Sequence, residues 1–285
     1  MEDETFRLVD NAVNGDKQAL ADLILSIEDF IYNLSLRMLG NPHDAEDATQ
    51  EIIIRIITKL STFRKESAFS TWVYRIATNY LINYKKSMFT QRPLSFEYYG
   101  EDTKAGFIEN SPDLLQNVNE EVLAEELKMS CTNVMLQCLD PESRCIYVLG
   151  IMFQADSKIC GDILDITPQA YRQRLSRIRK KVGDFLSTYC GLSRTGSCNC
   201  RKRVGYAIKN QRLNPHNLEY SGLKKLDSSV SLGFTQAMEE MDELSLVFAE
   251  LPKYRSPKVV KDFFQKLLKS GNMNIIKQTS KAEMG

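Results

Sequence analysis

From Pro168 to Lys181 the chain carries six basic residues and no acidic one, and its apolar residues recur at helical spacing. Tyr171, Leu175, Ile178, Val182 and Phe185 fall on one stripe of a helix. Gln169, Arg172, Gln173, Ser176, Arg177 and Lys180 fall on the opposite stripe, with Arg174 and Arg179 beside them. Thr167 is placed to cap this helix and Pro168 occupies its first position, where a missing N–H costs nothing. Just upstream, Ile159, Cys160, Ile163 and Leu164 pattern a short helix, and Asp165-Ile166-Thr167-Pro168 turns the chain. Helix, short turn and basic helix make a helix-turn-helix, a unit whose second helix fits a DNA major groove. The competing reading is a solvated amphipathic helix with a basic outer face.

The basic cluster is a local concentration, because 37 Lys and Arg balance 37 Asp and Glu over the 285 residues. The opposite sign gathers at the front, where residues 1–51 hold twelve acidic against three basic residues. That asymmetry predicts a basic protein partner for one part and a phosphate backbone for the other. Apolar runs are too short to span a membrane, and the acidic start lacks the form of a signal peptide. Seven irregularly spaced Cys fit a reducing cytoplasm better than a disulfide framework. No Ser/His/Asp set, phosphate loop or paired-carboxylate site is present, so no enzyme is expected.

Residues 1–87 read as helical. Leu20, Leu23, Ile24, Ile27, Ile31, Leu34 and Met38 form an apolar stripe that Gly40-Asn41-Pro42 ends. A second helix begins near Asp44, burying Ala45, Ala48, Ile52, Ile56 and Leu60. A third follows Ser70, with Trp72, Val73, Ile76, Tyr80 and Tyr84 as core or partial core, and Arg75, Asn79, Asn83, Lys85 and Lys86 facing out.

Two of these stretches carry a resemblance. Asp44-Ala-Glu-Asp-Ala-Thr-Gln-Glu51 and Phe69-Ser-Thr-Trp-Val-Tyr-Arg-Ile-Ala-Thr-Asn79 resemble region 2 of the extracytoplasmic-function (ECF) subgroup of sigma-70 factors, the promoter-recognition subunits of bacterial RNA polymerase. Leu139 to Leu186 resembles region 4 of the same family. The resemblance implies an all-α fold: region 2 over residues 1–87, a flexible linker over 88–119, region 4 over 120–189, and a Cys-containing extension over 190–285. It implies that Asp44, Glu46, Asp47, Gln50 and Glu51 lie against core RNA polymerase. It places Asn79, Asn83, Lys85 and Lys86 on the melting strand of the −10 element, and the loop from Ser61 to Ala68 around a flipped base. The −35 duplex falls to Gln169, Arg172, Gln173, Arg174, Ser176, Arg177, Arg179 and Lys180. Trp72 is either a base-stacking residue or a core anchor.

The chain departs from the family pattern at two places. Asn83-Tyr84-Lys85-Lys86 stands where an Asp and an Arg are common, which alters base preference. Ile159-Cys160-Gly161 stands for the usual Glu-Ile-Ala, and Asp165 for a Gly at the turn, which predicts a changed helix packing angle.

The linker has five acidic and two basic residues over 88–119, with Pro93 and Pro112, and reads as an extended connector: a nucleic-acid mimic in the polymerase cleft or a solvated tether. Cys131, Cys138 and Cys145 read as small buried residues rather than ligands. In the extension, Cys190, Cys198 and Cys200 lie beside Arg201, Lys202 and Arg203, charges expected to lower thiol pKa values. With His216 they form a candidate structural zinc set; a thiol or metal sensor and inert surface cysteines are the alternatives. Residues 228–250 and 257–270 pattern two amphipathic helices, lined by Phe234, Met238, Met241 and Leu244, and by Val259, Val260, Phe263, Phe264 and Leu267. They form either a regulatory module, replacing or supplementing an anti-sigma factor, or a stabilising appendage.

The reading that accounts for most residues is a cytoplasmic sigma factor that binds core polymerase and promoter DNA. A stand-alone helix-turn-helix regulator explains the basic helix but not the acidic Asp44–Glu51 face. A metal or thiol sensor explains only the extension.

Overall fold

The computed structural model describes residues 2–89, 94–227 and 243–270, with the side chains of residues 2 and 85–89 excepted. Four helices form its first part: α1 (Glu2–Val13), α2 (Lys17–Leu39), α3 (Pro42–Lys59) and α4 (Phe69–Phe89). The Asp16 carboxylate accepts from the Gln18 and Ala19 N–H groups at 2.8 and 3.1 Å, which starts α2. Gly40, at φ 92°, ends it, and Asn41 caps α3 with Pro42 in its first turn, two residues before Asp44. Every member of the predicted Leu20-to-Met38 stripe is buried. The helices α3 and α4 pack against α2 and each other.

The segment expected to be extended is instead folded. It contains α5 (Phe96–Ala105) and the single turn α6 (Pro112–Leu115), and leads into α7 (Glu120–Leu136). Its charge finds partners within the chain. Asp102 accepts from Arg203 at 3.2 Å, from Tyr206 Oη at 2.8 Å, and from Arg212. Asn110 accepts from the Gly205 N–H at 2.8 Å and donates to the Arg201 carbonyl at 2.9 Å. Those partners belong to α11 (Cys200–Lys209) and the turn after it. Acidity alone does not keep a segment solvated when guanidinium groups and a buried apolar surface are supplied from elsewhere in the chain.

The helix-turn-helix follows α8 (Pro141–Tyr147), which continues as a π-helical turn over Val148–Met152. Its two helices are α9 (Ser157–Leu164) and α10 (Pro168–Tyr189). Asp156 caps α9 and Thr167 caps α10, each with a side-chain oxygen on a main-chain N–H. The turn keeps its shape without glycine, because Asp165 takes the left-handed conformation at φ 55° and ψ 47°. Asp and Asn visit that region more readily than other side chains. Glycine is required one turn earlier: a Cβ on Gly161 would lie 2.7 Å from the Ile166 carbonyl oxygen. Tyr171, Leu175, Ile178, Val182 and Phe185 are all buried, and Tyr171 Oη donates to the Ile146 carbonyl at 2.9 Å.

Beyond α11, the described chain resumes with α12 (Glu243–Ala249) and α13 (Lys258–Lys269). The positions of Phe234, Met238 and Met241 lie outside the described residues. One apolar core runs continuously through α1–α4, the helix-turn-helix and residues 244–268, without a break at the expected domain boundaries. A smaller core joins α7 to α11 through Leu123, Leu127, Val204 and Leu213. Among the described residues there is no strand, only an antiparallel bridge between Lys225 and Tyr254, and no helix is long and apolar enough to cross a membrane.

Two predictions follow from this packing. Gly161→Ala pushes a Cβ into main chain that cannot rotate away, and should lower unfolding free energy by about 1–3 kcal/mol in denaturant titration. Burial alone would raise the Asp102 carboxyl, but hydrogen bonds from Arg212 and Tyr206, with the Arg212 charge and the Arg203 bond, hold it below the usual carboxylate range. Because its folded value lies below its unfolded one, it contributes stability above the unfolded value that is lost as pH falls through the folded one. Asp102→Asn should therefore cost about 3 kcal/mol at pH 7, and urea melts should show the difference from the parent shrinking below about pH 4.

Candidate nucleic-acid interface

The outer face of α10 carries the predicted row. Gln169, Arg172, Gln173, Arg174, Ser176, Arg177 and Lys180 are exposed, and Arg179 is half-buried. The row is partly ordered by its surroundings. Arg172 Nη1 donates to Ser157 Oγ at 2.8 Å, which ties it to the first residue of α9. Lys180 pairs with Asp184 at 3.1 Å, one turn on. Both pairs are at the surface and can yield to phosphates. The result is an exposed, mostly cationic ridge on a helix whose other face is locked in the core, the geometry that direct reading of a major groove needs.

A second surface lies between α3 and α4. A groove of about 640 Å³ is lined by Arg55, Lys59, Trp72, Arg75, Asn79, Tyr80, Asn83 and Tyr84, among others. The Tyr80 and Tyr84 rings stack with centroids 5.9 Å apart, and the Arg55 guanidinium lies 4.9 Å over Tyr80. Cations interleaved with half-exposed rings and two amides suit unpaired nucleic acid, whose bases stack while its phosphates are neutralised. Asn79 and Asn83 were expected here; Arg55, Lys59 and the stacking use of Tyr80 and Tyr84 were not. Arg55 and Lys59 stand four apart on α3, off its buried positions Ile52, Ile53, Ile56 and Ile57, and that spacing is the signal that could have found them. The side chains of Lys85 and Lys86 lie outside the described residues. Trp72 is the core anchor offered for it, packed against Phe63 at 5.4 Å and Phe69 at 5.9 Å, and it also lines the groove. Lys65, in the loop before α4, is held by Asp10 at 2.6 Å.

The acidic set on α3 is not uniform. Asp47 and Glu51 are exposed, while Asp44, Glu46 and Gln50 are half-buried. Asp44 accepts from Asn41 Nδ2 at 2.7 Å within the cap, and His43 lies 3.7 Å from Asp47. Burial raises the Glu46 carboxyl, against the pull of His43. The accessible negative charge is therefore concentrated on Asp47 and Glu51.

The extension gathers its cysteines differently from expectation. Cys190, Cys198 and Cys200 line one small apolar cavity of about 20 Å³ together with Cys131 of α7. His216 is exposed, and it is not part of that lining. Among the described residues, no three Cys, His, Asp or Glu side chains converge closely enough to hold a metal ion, and His216 stands apart from Cys190, Cys198 and Cys200. The thiols are also not activated by their basic neighbours. Burial pushes Cys190 and Cys198 up to about 12 and Cys200 to about 11. Arg201 is paired with Glu121, and Arg203 with Asp102 and the Thr103 carbonyl, and the pull of Arg203 on Cys198 does not offset its burial. Cys131 shares a hydrogen bond with Tyr99 Oη at 2.7 Å. Neutral thiols are poor nucleophiles: iodoacetamide at pH 8 should label these three positions at least about tenfold more slowly in the folded chain than in urea, read by mass spectrometry.

Residues 23–88 match the family model described as Sigma-70 region 2. The chain is 33% identical to the ECF RNA polymerase sigma factor SigW of Bacillus subtilis over 180 residues, which is 60% of this chain and 92% of that protein. It is 30% identical to the RNA polymerase sigma-H factor of Pseudomonas aeruginosa over 65% of this chain and 95% of that protein. With the ECF RNA polymerase sigma factor SigE of Mycolicibacterium smegmatis it shares 28% over 61% of this chain and 65% of that protein.

Proposed function

The chain belongs to the ECF RNA polymerase sigma factors, and from that premise we propose how its surfaces divide the work of promoter recognition. It is a sigma factor that binds core RNA polymerase and directs initiation of transcription at particular promoters. The observation that carries the division is the presence of two nucleic-acid surfaces of different chemistry on one chain. The α10 ridge, with Arg172, Gln173, Ser176 and Arg177 toward bases and Arg174, Arg179 and Lys180 toward phosphates, reads the −35 element as duplex. The α3–α4 groove takes the −10 strand as it unpairs, with bases on Tyr80 and Tyr84 and phosphates near Arg55 and Lys59. Asn79 and Asn83 supply amides for base edges. Asp47 and Glu51 offer the charge for a basic surface of core polymerase. The chemistry asked of these surfaces is stacking, hydrogen bonding and charge, which requires no cofactor. The site of action is the cytoplasm, where polymerase and promoter DNA meet.

A stand-alone helix-turn-helix regulator accounts for the ridge alone and leaves the stacked groove without a use. Run-off transcription with purified core enzyme separates the two: a promoter-specific transcript is expected, and its absence sinks the sigma assignment. Within that assay, Arg177→Ala should weaken discrimination at one −35 position by about 1–3 kcal/mol, roughly 5- to 150-fold. Tyr80→Ala should cost about 1–3 kcal/mol in open-complex formation, followed by permanganate footprinting, and leave binding to −35 duplex unchanged.

A further inference from the structure

The two DNA surfaces meet along one edge. Asn79 and Asn83 on α4 line a cavity of about 270 Å³ whose opposite wall includes Arg174 of α10 and Glu142 of α8. Arg75, on the same face of α4, donates to the Asp162 carbonyl of α9 through Nε at 3.1 Å and Nη2 at 2.5 Å. On a promoter, elements named for positions −10 and −35 lie about 25 base pairs apart, roughly 85 Å of B-form duplex at about 3.4 Å per base pair. Side chains that share the walls of one small cavity cannot engage both. The arrangement described here is a closed one, and promoter binding must separate α4 from the helix-turn-helix.

The last described segment joins the two sides. On the helix-turn-helix side, α12 packs against α10 and the π-turn, with the Phe248 ring edge-on to Tyr147 at 5.4 Å. On the other side, the strand-like stretch 252–256 is tied to α2. Asn33 donates to the Tyr254 carbonyl at 2.6 Å and accepts from its N–H at 2.8 Å. Arg37 Nη2 donates to the Pro252 carbonyl at 2.7 Å, and Asp29 accepts from the Ser256 N–H at 2.6 Å. Then α13 lies against α3, the helix that bears Asp47 and Glu51, with Val260 and Phe264 buried. Lys261 pairs with the buried Glu28 at 3.2 Å, and Arg255 with Asp29 at 3.4 Å. A basic amphipathic helix thus occupies the same acidic domain that a basic surface of core polymerase must approach.

We propose that residues 243–270 are an intramolecular latch: α12 grips the helix-turn-helix, α13 grips the α2–α3 face, and together they hold the two DNA surfaces side by side, too close to span a promoter. The extension acts in cis where a separate anti-sigma factor would act in trans. Release is chemically accessible. Arg37 is buried, and it donates to dipoles, the Asn133 amide oxygen at 2.9 Å and the Pro252 carbonyl. A guanidinium held that way gives up solvation that it recovers when 252–256 leaves. Core polymerase and the latch then compete for one domain, and binding of either opposes the other.

The inference rests on the sigma-factor reading for the identity of the surfaces it closes, so the test separates the two. Full-length protein carrying Phe264→Asp is compared with the parent by small-angle scattering, circular dichroism and binding to core enzyme. The parent should have a radius of gyration near 19 Å, the value for a compact chain of 285 residues. The variant should keep its helicity, scatter as a larger particle, and bind core enzyme about 5- to 150-fold more tightly. Lys261→Glu should shift both readouts the same way, and adding Glu28→Lys should reverse the shift, which unfolding cannot mimic. A variant as compact as the parent with unchanged core affinity overturns the latch, as does failure of the charge swap to restore closure. Loss of promoter-specific transcription in parent and variant alike strikes the sigma reading instead, while scattering still judges closure.

Discussion

The guanidinium of Arg144 is wholly buried and donates to four main-chain carbonyls: Leu136 at 2.8 Å, Leu139 at 2.8 Å, Gln137 at 3.3 Å and Met38 at 2.6 Å. Those oxygens lie at the C-terminal ends of α7 and α2, where a helix runs out of its own N–H donors. One side chain from α8 therefore serves two helix ends and fixes where three helices meet. Burial lowers its pKa to about 10, so it stays charged under physiological conditions. The partial negative charge of two converging helix C-termini is what makes a cation tolerable there.

Around that point the rest of the molecule is arranged as a junction. Asn133 of α7 accepts from Arg37 and donates to Tyr220 Oη at 3.0 Å, which donates in turn to the Gly40 carbonyl at 2.9 Å. Glu126 accepts from the N–H groups of Glu219, Tyr220 and Ser221 at 2.6–2.8 Å. These polar chains tie α2, α7 and the extension together in the same buried region. Function follows from the consequence: the ridge of α10 and the groove of α3–α4 belong to one packed body, although their proposed targets are far apart on DNA. A sigma factor built this way carries its closed state in its own core.

Much of the fold was legible because helices write themselves locally. The Leu20–Met38 stripe, Gly40, and the Thr167–Pro168 start each specify an element through nearest neighbours, and each element formed where its pattern lies. The exposed polar row on α10 was legible for the same reason, since burial of Tyr171, Leu175 and Ile178 dictates which side chains point out. The linker misled because acidic, proline-containing composition argues for solvent only when no partner exists, and Arg203 and Arg212 are about a hundred residues away in sequence. Tyr80 and Tyr84 read as core because helical periodicity places them on an apolar stripe. Only the approach of Arg55 from α3 turns that stripe into a groove. Charge beside Cys198 and Cys200 suggested activated thiols, but carboxylates from Asp102 and Glu121 reach those charges first, and burial then decides the thiols' state.

By itself the sequence determined the class of the chain, its helical elements, its caps and the chemistry displayed on each helix face. Those properties depend on residues three or four apart, which the order of amino acids states outright. Tertiary structure decided which faces meet: that Cys131 rather than His216 joins the thiols, that α13 covers part of the acidic domain, and that Arg174 of α10 shares a cavity with Asn79 and Asn83 of α4. Each of these contacts spans tens to hundreds of residues, and each is chosen by competition for one buried surface, which no local pattern records. The basic helix at Pro168 is therefore legible in sequence as the second helix of a helix-turn-helix, and the structure sets its Arg174 beside Asn79 and Asn83 of α4.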